Sequence, residues 1–368
     1  MLPYNFGLSG YLGWVLYTSA VVCFLLTLFW RPILGIYYLI PLIPLQTIRY
    51  KLNAFPLGAS IVGLMLVAVA LGLLRQRRSV LTKTPWTAII CVIGSYTLLS
   101  LWQGWLYLGG DMPLPGEARF SVWLDFIMMP GMMLLVAAIA PNKRDIRVMI
   151  LLMALSTLAL DRSYWSEVSG RDYSSYSEDL RNDAGGGSMG YAGSNGLAAF
   201  EAQFTIFLLA ISAFERKRLL RVGYIALAIF SIACLAYSLS RGAYAAVLVG
   251  SLFIGIVKQR KLLLLLVIFV ITWTAWVPAA VRDRVLMTYD TQDKSLDASA
   301  ETRVTLWEDA MEMFRSNPLL GTGFNTYAYM HRIRAYEDTH NYYLKVLVEM
   351  GVAGLIQFLL LFSSHLIT

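Results

Sequence analysis

Long apolar runs without a single charge recur along this chain, and they set the limits on its fold. No Asp, Glu, Lys or Arg occurs between Tyr11 and Trp30, or again between Trp86 and Leu108. A membrane helix needs about 20 mostly apolar residues, and inside a bilayer a segment must satisfy its own backbone hydrogen bonds. Composition agrees: 58% of the 368 residues are hydrophobic and only 14% charged, against about 45–50% and about 25% in soluble chains. A soluble enzyme, a disordered regulator and a nucleic-acid module are excluded on that ground. The expectation is one all-α polytopic membrane domain of about eleven transmembrane helices.

The spans expected are 11–30, 32–48, 57–74, 86–108, 122–140, 146–161, 192–214, 221–238, 242–257, 261–279 and 342–363. Pro32, Pro41 and Pro44 interrupt the second, and the sixth is short. The layout is ten spans within 1–279, a large outer loop over 280–341, and the last span with the C-terminus over 342–368. The first run lacks a basic flank and is as long as a full span, so no cleaved signal peptide is expected. Cys23, Cys91 and Cys234 lie apart in apolar runs, a pattern that suits neither a disulfide framework nor a metal cluster.

Charge sets the orientation. One alternating set of loops holds fifteen basic residues against two acids, Asp145 and Glu215, while the rest of the chain holds fifteen basic residues and 21 acids. Short basic loops stay in the cytoplasm, so the N-terminus is expected outside and the C-terminus inside. The net charge of +7 is therefore a topology signal, and no nucleic-acid partner is expected.

The outer segments are then 109–121, 162–191 and 280–341. The second is rich in Ser, Asp, Tyr and Gly and reads as a loop. The third contains an expected amphipathic helix, 301–315, with Val304, Trp307, Met311 and Phe314 on one face. Such a helix can lie on the membrane surface, and Asn317-Pro318 ends it.

Few residues on that side can do chemistry. There is no GxxxxGK[ST] loop, no HExxH and no zinc spacing, so no metal and no cofactor are expected. Residues 186–190 match GxSxG, but a nucleophile elbow needs a strand before it and a helix after it, and here the match sits among glycines. Of the three histidines, His365 falls at the cytoplasmic end and His331 in the outer loop. His340 stands just before an apolar run, where it is either a cap or a working imidazole at the membrane boundary. Arg241 lies between two apolar runs; a charge at that depth marks function unless it is a snorkelling anchor. Arg303 heads the amphipathic helix. Two guanidiniums and an imidazole without a metal suit a diphosphate leaving group, because guanidinium forks match phosphate oxygens and stay charged.

A series of motifs then carries a family resemblance. In order they are Asn195-Gly196-Leu197-Ala198, Ser240-Arg241-Gly242, Arg303-x-x-x-Trp307, Asn317-Pro318-Leu319-Leu320-Gly321-Thr322-Gly323, Thr339-His340-Asn341-x-x-Leu344 and Glu349-x-Gly351-x-x-Gly354. Over 195–361 the series resembles the O-antigen ligase and Wzy-type polymerase superfamily; the first 190 residues agree only in being spans. The resemblance implies a GT-C-like glycosyltransferase of the bacterial inner membrane working on the periplasmic face. The donor would be an undecaprenyl-diphosphate-linked glycan, and the acceptor a hydroxyl of lipid A–core, another glycan or a protein. Arg241 and Arg303 would hold the diphosphate and His340 would activate the acceptor. Trp307, Asn341 and Glu349 are further substrate-loop candidates, and Trp165, Tyr173, Tyr176 and Tyr191 are placed to contact sugars. Relatives commonly add another span after the eleventh, so a chain stopping at Thr368 reads as a shortened form. The competing classes are a transporter or flippase, with Arg241 and Glu201 as intramembrane substrate contacts, and a structural membrane subunit.

Overall fold

The computed structural model describes residues 11–183, 193–287, 289–290, 295–296, 298–333 and 338–367. Its helices are α1 (Leu12–Phe29), α2 (Ile33–Leu42), α3 (Gln46–Tyr50), α4 (Ile61–Arg75), α5 (Pro85–Leu108), α6 (Ala118–Ile139), α7 (Lys143–Val168) and α8 (Glu178–Asp183). They continue as α9 (Gly193–Phe214), α10 (Arg218–Ala236), α11 (Arg241–Val257), α12 (Arg260–Thr272), α13 (Ala279–Leu286), α14 (Ala298–Ser316), α15 (Tyr327–Met330) and α16 (Tyr342–Ile367). Short 3₁₀ turns and one two-residue antiparallel pair, Tyr289–Asp290 with Ser295–Leu296, complete the described structure.

Among the described residues seven helices are long and apolar enough to cross a membrane, or eight if the bent pair 260–286 is one span. The protein is thus multi-pass, with fewer full-length crossings than the eleven expected. The shortfall has local causes. The expected span 32–48 stops at Leu42, because Pro44 has no N–H to donate, and only the five-residue α3 follows. The expected span 261–279 turns by 112° between 260–276 and α13, with Pro278 at the start of the new helix. The helix at 241–257 is 17 residues, short for a full crossing. The sixth expected span errs the other way. Its helix runs on to Val168, so 162–168 is not loop; Asp161, Arg162 and Ser163 end the apolar run without ending the helix.

The chain forms two compact units. The first comprises residues 1–69 and 141–288, the second 70–140 and 289–368. In the first unit α9 packs against α10, α11 and α7. Small residues make that closeness possible: Ala198, Ala202 and Ala243 are buried with Leu235 and Val247. Lipid tails are as apolar as Leu, so membrane helices associate through van der Waals fit of this kind rather than hydrophobic burial. Their far faces stay apolar, as at Ile229 of α10 and Val249 of α11, which suits contact with lipid.

In the second unit α16 packs on α5 and α14, and α16 is broken at Gly351 (φ 65°, ψ −170°). That break frees backbone carbonyls, and the 317–323 loop takes them up. Thr322 N–H donates to Val348 O at 3.1 Å and Gly323 N–H to Glu349 O at 2.7 Å, while Val352 N–H reaches Pro318 O at 2.9 Å. The Asn-Pro-Leu-Leu-Gly-Thr-Gly stretch and the Glu-x-Gly-x-x-Gly stretch are therefore one interlock. A Cβ on Gly321 would lie 2.4 Å from the Glu349 carbonyl carbon, and one on Gly323 2.2 Å from Gly104 Cα on α5.

Candidate functional site

In the second unit the site is built on α14. The helix is longer than the expected 301–315, and its inward face also differs. Leu306, Ala310 and Met313 are buried, while Val304 and Trp307 are each 39% exposed. The tertiary contact with α16 selects that face, one residue round from the stripe read in the sequence. Trp307 is spared for another partner: its indole N–H donates to Thr339 O at 3.0 Å. Arg303 stands one turn earlier on the same helix and is half-buried.

Thr339, His340 and Asn341 form a tight turn ahead of α16. Thr339 is fully buried; its hydroxyl donates to Asn341 O at 2.8 Å. Asn341 Oδ1 accepts from Leu344 N–H at 3.3 Å, so Asn341, not His340, caps the helix. His340 takes a left-handed conformation, φ 52°, uncommon for any residue but glycine. Its backbone N–H donates to Asp338 Oδ1 at 2.8 Å, and the side chain is exposed. Asp338 Oδ2 lies 3.6 Å from Lys345 Nζ. The turn thus presents the imidazole outward from a fixed backbone, beside the helix that carries Arg303.

Glu349, expected as a substrate contact, is buried. Its carboxylate accepts from Asn325 N–H at 3.0 Å and Tyr327 N–H at 3.2 Å, which makes it an anchor for the loop that follows Gly323. Arg332 pairs with Asp309 at 2.7 Å and ties that loop back to α14. Tyr327 also reaches Asp309, at 3.4 Å, and burial together with that carboxylate pushes its phenol up to about 12. His331 is exposed at the end of α15.

In the first unit Arg241 opens α11. Leu239 is left-handed (φ 54°), and Tyr244 OH donates to Ala236 O at 2.7 Å, which closes the turn between α10 and α11. Ser240 Oγ donates to Asn195 Oδ1 at 3.0 Å, so two motifs far apart in sequence meet here. Arg241 is half-buried at a helix N-terminus, where partial positive charge favours anions.

Sequence reasoning passed over Arg284. It lies on α13, is 4% exposed, and sits with its guanidinium 4.9 Å from the Tyr176 ring centroid. Its Nη1 is 3.8 Å from Glu178 Oε1. Burial lowers its affinity for the proton, and the like charges of Arg241 and Arg181 add to that. The Tyr176 hydroxyl donates to Glu178 Oε1 at 2.6 Å; this bond, with Arg181 and Arg284, holds the Glu178 carboxyl below its ordinary range. Three guanidiniums, one carboxylate and a tyrosine therefore gather in this unit. A short charged helix after a bend gave no apolar-run signal that could have flagged Arg284. Trp165 and Tyr173 pack edge-on against Tyr237 and are structural here, whereas Tyr191 and the 186–190 GxSxG match lie outside the described residues.

An apolar cleft of about 250 Å³ opens beside the same helices, lined among others by Leu235, Tyr244, Val247, Phe269, Val281 and Val285. Tyr244 is one turn from Arg241, and Val281 and Val285 flank Arg284 on α13. Among the described residues no cluster of His, Cys, Asp and Glu has the makings of a metal site.

Residues 226–359 match the family model Wzy_C, described as O-Antigen ligase. The resemblance carried by the motifs holds over that stretch, which is less than half of the chain. Neither the curated proteins nor the solved structures searched contain a match.

Proposed function

We propose, from the O-antigen ligase match over 226–359 and the geometry of its motifs, that this chain is a membrane-embedded glycosyltransferase. It moves a glycan from undecaprenyl diphosphate to an acceptor hydroxyl on the periplasmic face of the bacterial inner membrane, within a GT-C-like fold. The observation that supports this best is the Trp307–Thr339 hydrogen bond. It joins the helix bearing a phosphate-type guanidinium, Arg303, to the turn bearing an exposed imidazole, His340.

The chemistry assigns each group a task. The acceptor oxygen attacks the anomeric carbon as the bond from that carbon to the diphosphate oxygen breaks, with inversion. His340 takes the acceptor's proton as general base. Guanidinium charge stabilises the departing diphosphate, a role given to Arg303 and Arg241, with Arg284 adding charge beside Arg241. Preorganised charge of this kind counts for far more in a water-poor site than in bulk water, so the reaction calls for no divalent metal. The apolar cleft beside Tyr244 is of the right character for isoprenoid tail.

The test is transfer by the purified chain in detergent from synthetic undecaprenyl-diphosphate oligosaccharide to three acceptors: lipid A–core, glycan and a hydroxyl-bearing protein. Transfer to one of them, unaffected by a chelator and lost in Arg241→Lys and Arg303→Ala, is expected. A folded protein that turns over no lipid-linked glycan with any acceptor, or needs a particular metal, overturns the reading.

A further inference from the structure

Within the first unit two carboxyl groups meet inside the helical core. Asp161 of α7 and Glu201 of α9 are both 0% exposed, and their carboxyls lie within hydrogen-bonding reach of each other. Ser231 of α10 donates to Asp161 Oδ2 at 2.6 Å. Among the described residues neither acid is in an ion pair with a basic side chain.

Two carboxylates in contact and out of water cannot both stay charged, because burial and mutual repulsion act in the same direction. A positive charge must therefore sit with them. Among the described residues the surroundings supply further oxygens, and no basic side chain acts on either carboxyl. Thr205, one turn beyond Glu201, and Tyr164, one turn beyond Asp161, lie on the faces those acids occupy. Both are 0% exposed, and among the described residues neither hydroxyl has a hydrogen-bond partner; nor do Asp161 Oδ1 and the two Glu201 oxygens find a donor there. Tyr164 is also within electrostatic range of Glu201. The other titratable neighbours are Cys234 of α10, Tyr244 of α11 and Tyr173, each uncharged in its protonated form.

We propose that Asp161 and Glu201, with the hydroxyls of Ser231, Thr205 and Tyr164, form a membrane-embedded site for one small monovalent cation, a proton or a sodium ion. The site is separate from the proposed transferase chemistry and does not rest on it. Glu201 is six residues along α9 from Asn195, about 9 Å at 1.5 Å per residue. Occupancy of the site therefore sets the packing of α7, α9 and α10 beneath the Asn195–Ser240 contact.

The experiment is thermal melting of the full chain in detergent, with sodium chloride titrated against choline chloride at fixed pH, and then with pH varied in choline alone. The comparison protein is the double variant Asp161→Asn/Glu201→Gln, which keeps shape and hydrogen bonding. A saturable rise of several degrees with sodium, absent with choline and lost in the variant, assigns sodium. Equal behaviour in both salts, with a melting temperature that falls as pH rises in the wild type and stays level in the variant, assigns the proton. Infrared spectra give a second readout that does not depend on stability. A protonated-carboxyl C=O band at neutral pH, narrowed to this pair by Glu201→Gln alone, marks the proton, whereas sodium leaves only carboxylate bands. Insensitivity to both sodium and pH, with only carboxylate bands, overturns the proposal.

Discussion

The indole N–H of Trp307 donates to the backbone carbonyl of Thr339, 32 residues away, at 3.0 Å. One hydrogen bond thereby fixes the spacing between the helix of Arg303 and the turn of His340. Trp307→Phe keeps an aromatic ring, though a smaller one, and removes the donor. It is expected to cost about 0.5–1.5 kcal/mol of stability and to lower the rate of transfer more than it raises KM for the donor. Thermal melts and initial rates on the same preparations check this.

His340→Ala is expected to slow transfer by about 10²–10⁴-fold, the usual range for loss of a general base. The melting temperature should hold, because the helix cap is Asn341. His331→Ala, in the same loop and exposed, should leave the rate near wild type. A folded His340→Ala that transfers normally removes the base assignment.

Glycines divide sharply by environment. Gly323 is at φ 118° with Gly104 backbone 2.2 Å from its would-be Cβ, whereas Gly131 of α6 meets nothing within 4 Å. Gly323→Ala should destabilise by more than about 1–3 kcal/mol, since strain and backbone collision act together. Gly131→Ala should be neutral or stabilising by up to about 1 kcal/mol. Melting temperatures decide it.

Glu178 gives a pH dependence with a definite sign. Its folded carboxyl is held below the ordinary range, first by the Tyr176 hydroxyl and then by Arg181 and Arg284. The contribution to α8 docking is therefore fully present above the ordinary carboxylate pKa and is lost as pH falls through the lowered one. Proteolysis around 178–183 should be unchanged from neutral to mildly acidic pH and rise in stronger acid. Tyr176→Phe should move that rise to higher pH.

The fifteen-to-two charge count makes the orientation a testable expectation. Ser316→Cys, at the end of α14, should react with an impermeant thiol reagent added from outside, and Ser79→Cys, in a basic loop, only after the membrane is opened. The reverse pattern would invert the topology.

The sequence by itself determined the solvent of this protein and its motif order. Uncharged runs near 20 residues have few fates outside a bilayer, and basic loops alternate because positive charge resists translocation. It also marked Arg241 and His340 as candidates, since charged or titratable groups against apolar runs are conspicuous in one dimension, and Arg303 as the head of an amphipathic helix. Tertiary structure decided what one dimension cannot hold. Proline-driven breaks and the 112° bend reduced the expected crossings, because apolar composition does not guarantee a continuous helix. Packing on α16 chose Leu306, Ala310 and Met313 as the buried face of α14. Glu349 became a loop anchor once the kink at Gly351 brought Asn325 and Tyr327 to it. Arg284 joined Arg241, and Asp161 met Glu201, across 43 and 40 residues of sequence. Such pairings are set by which helix faces pack together, and that is a property of the folded chain.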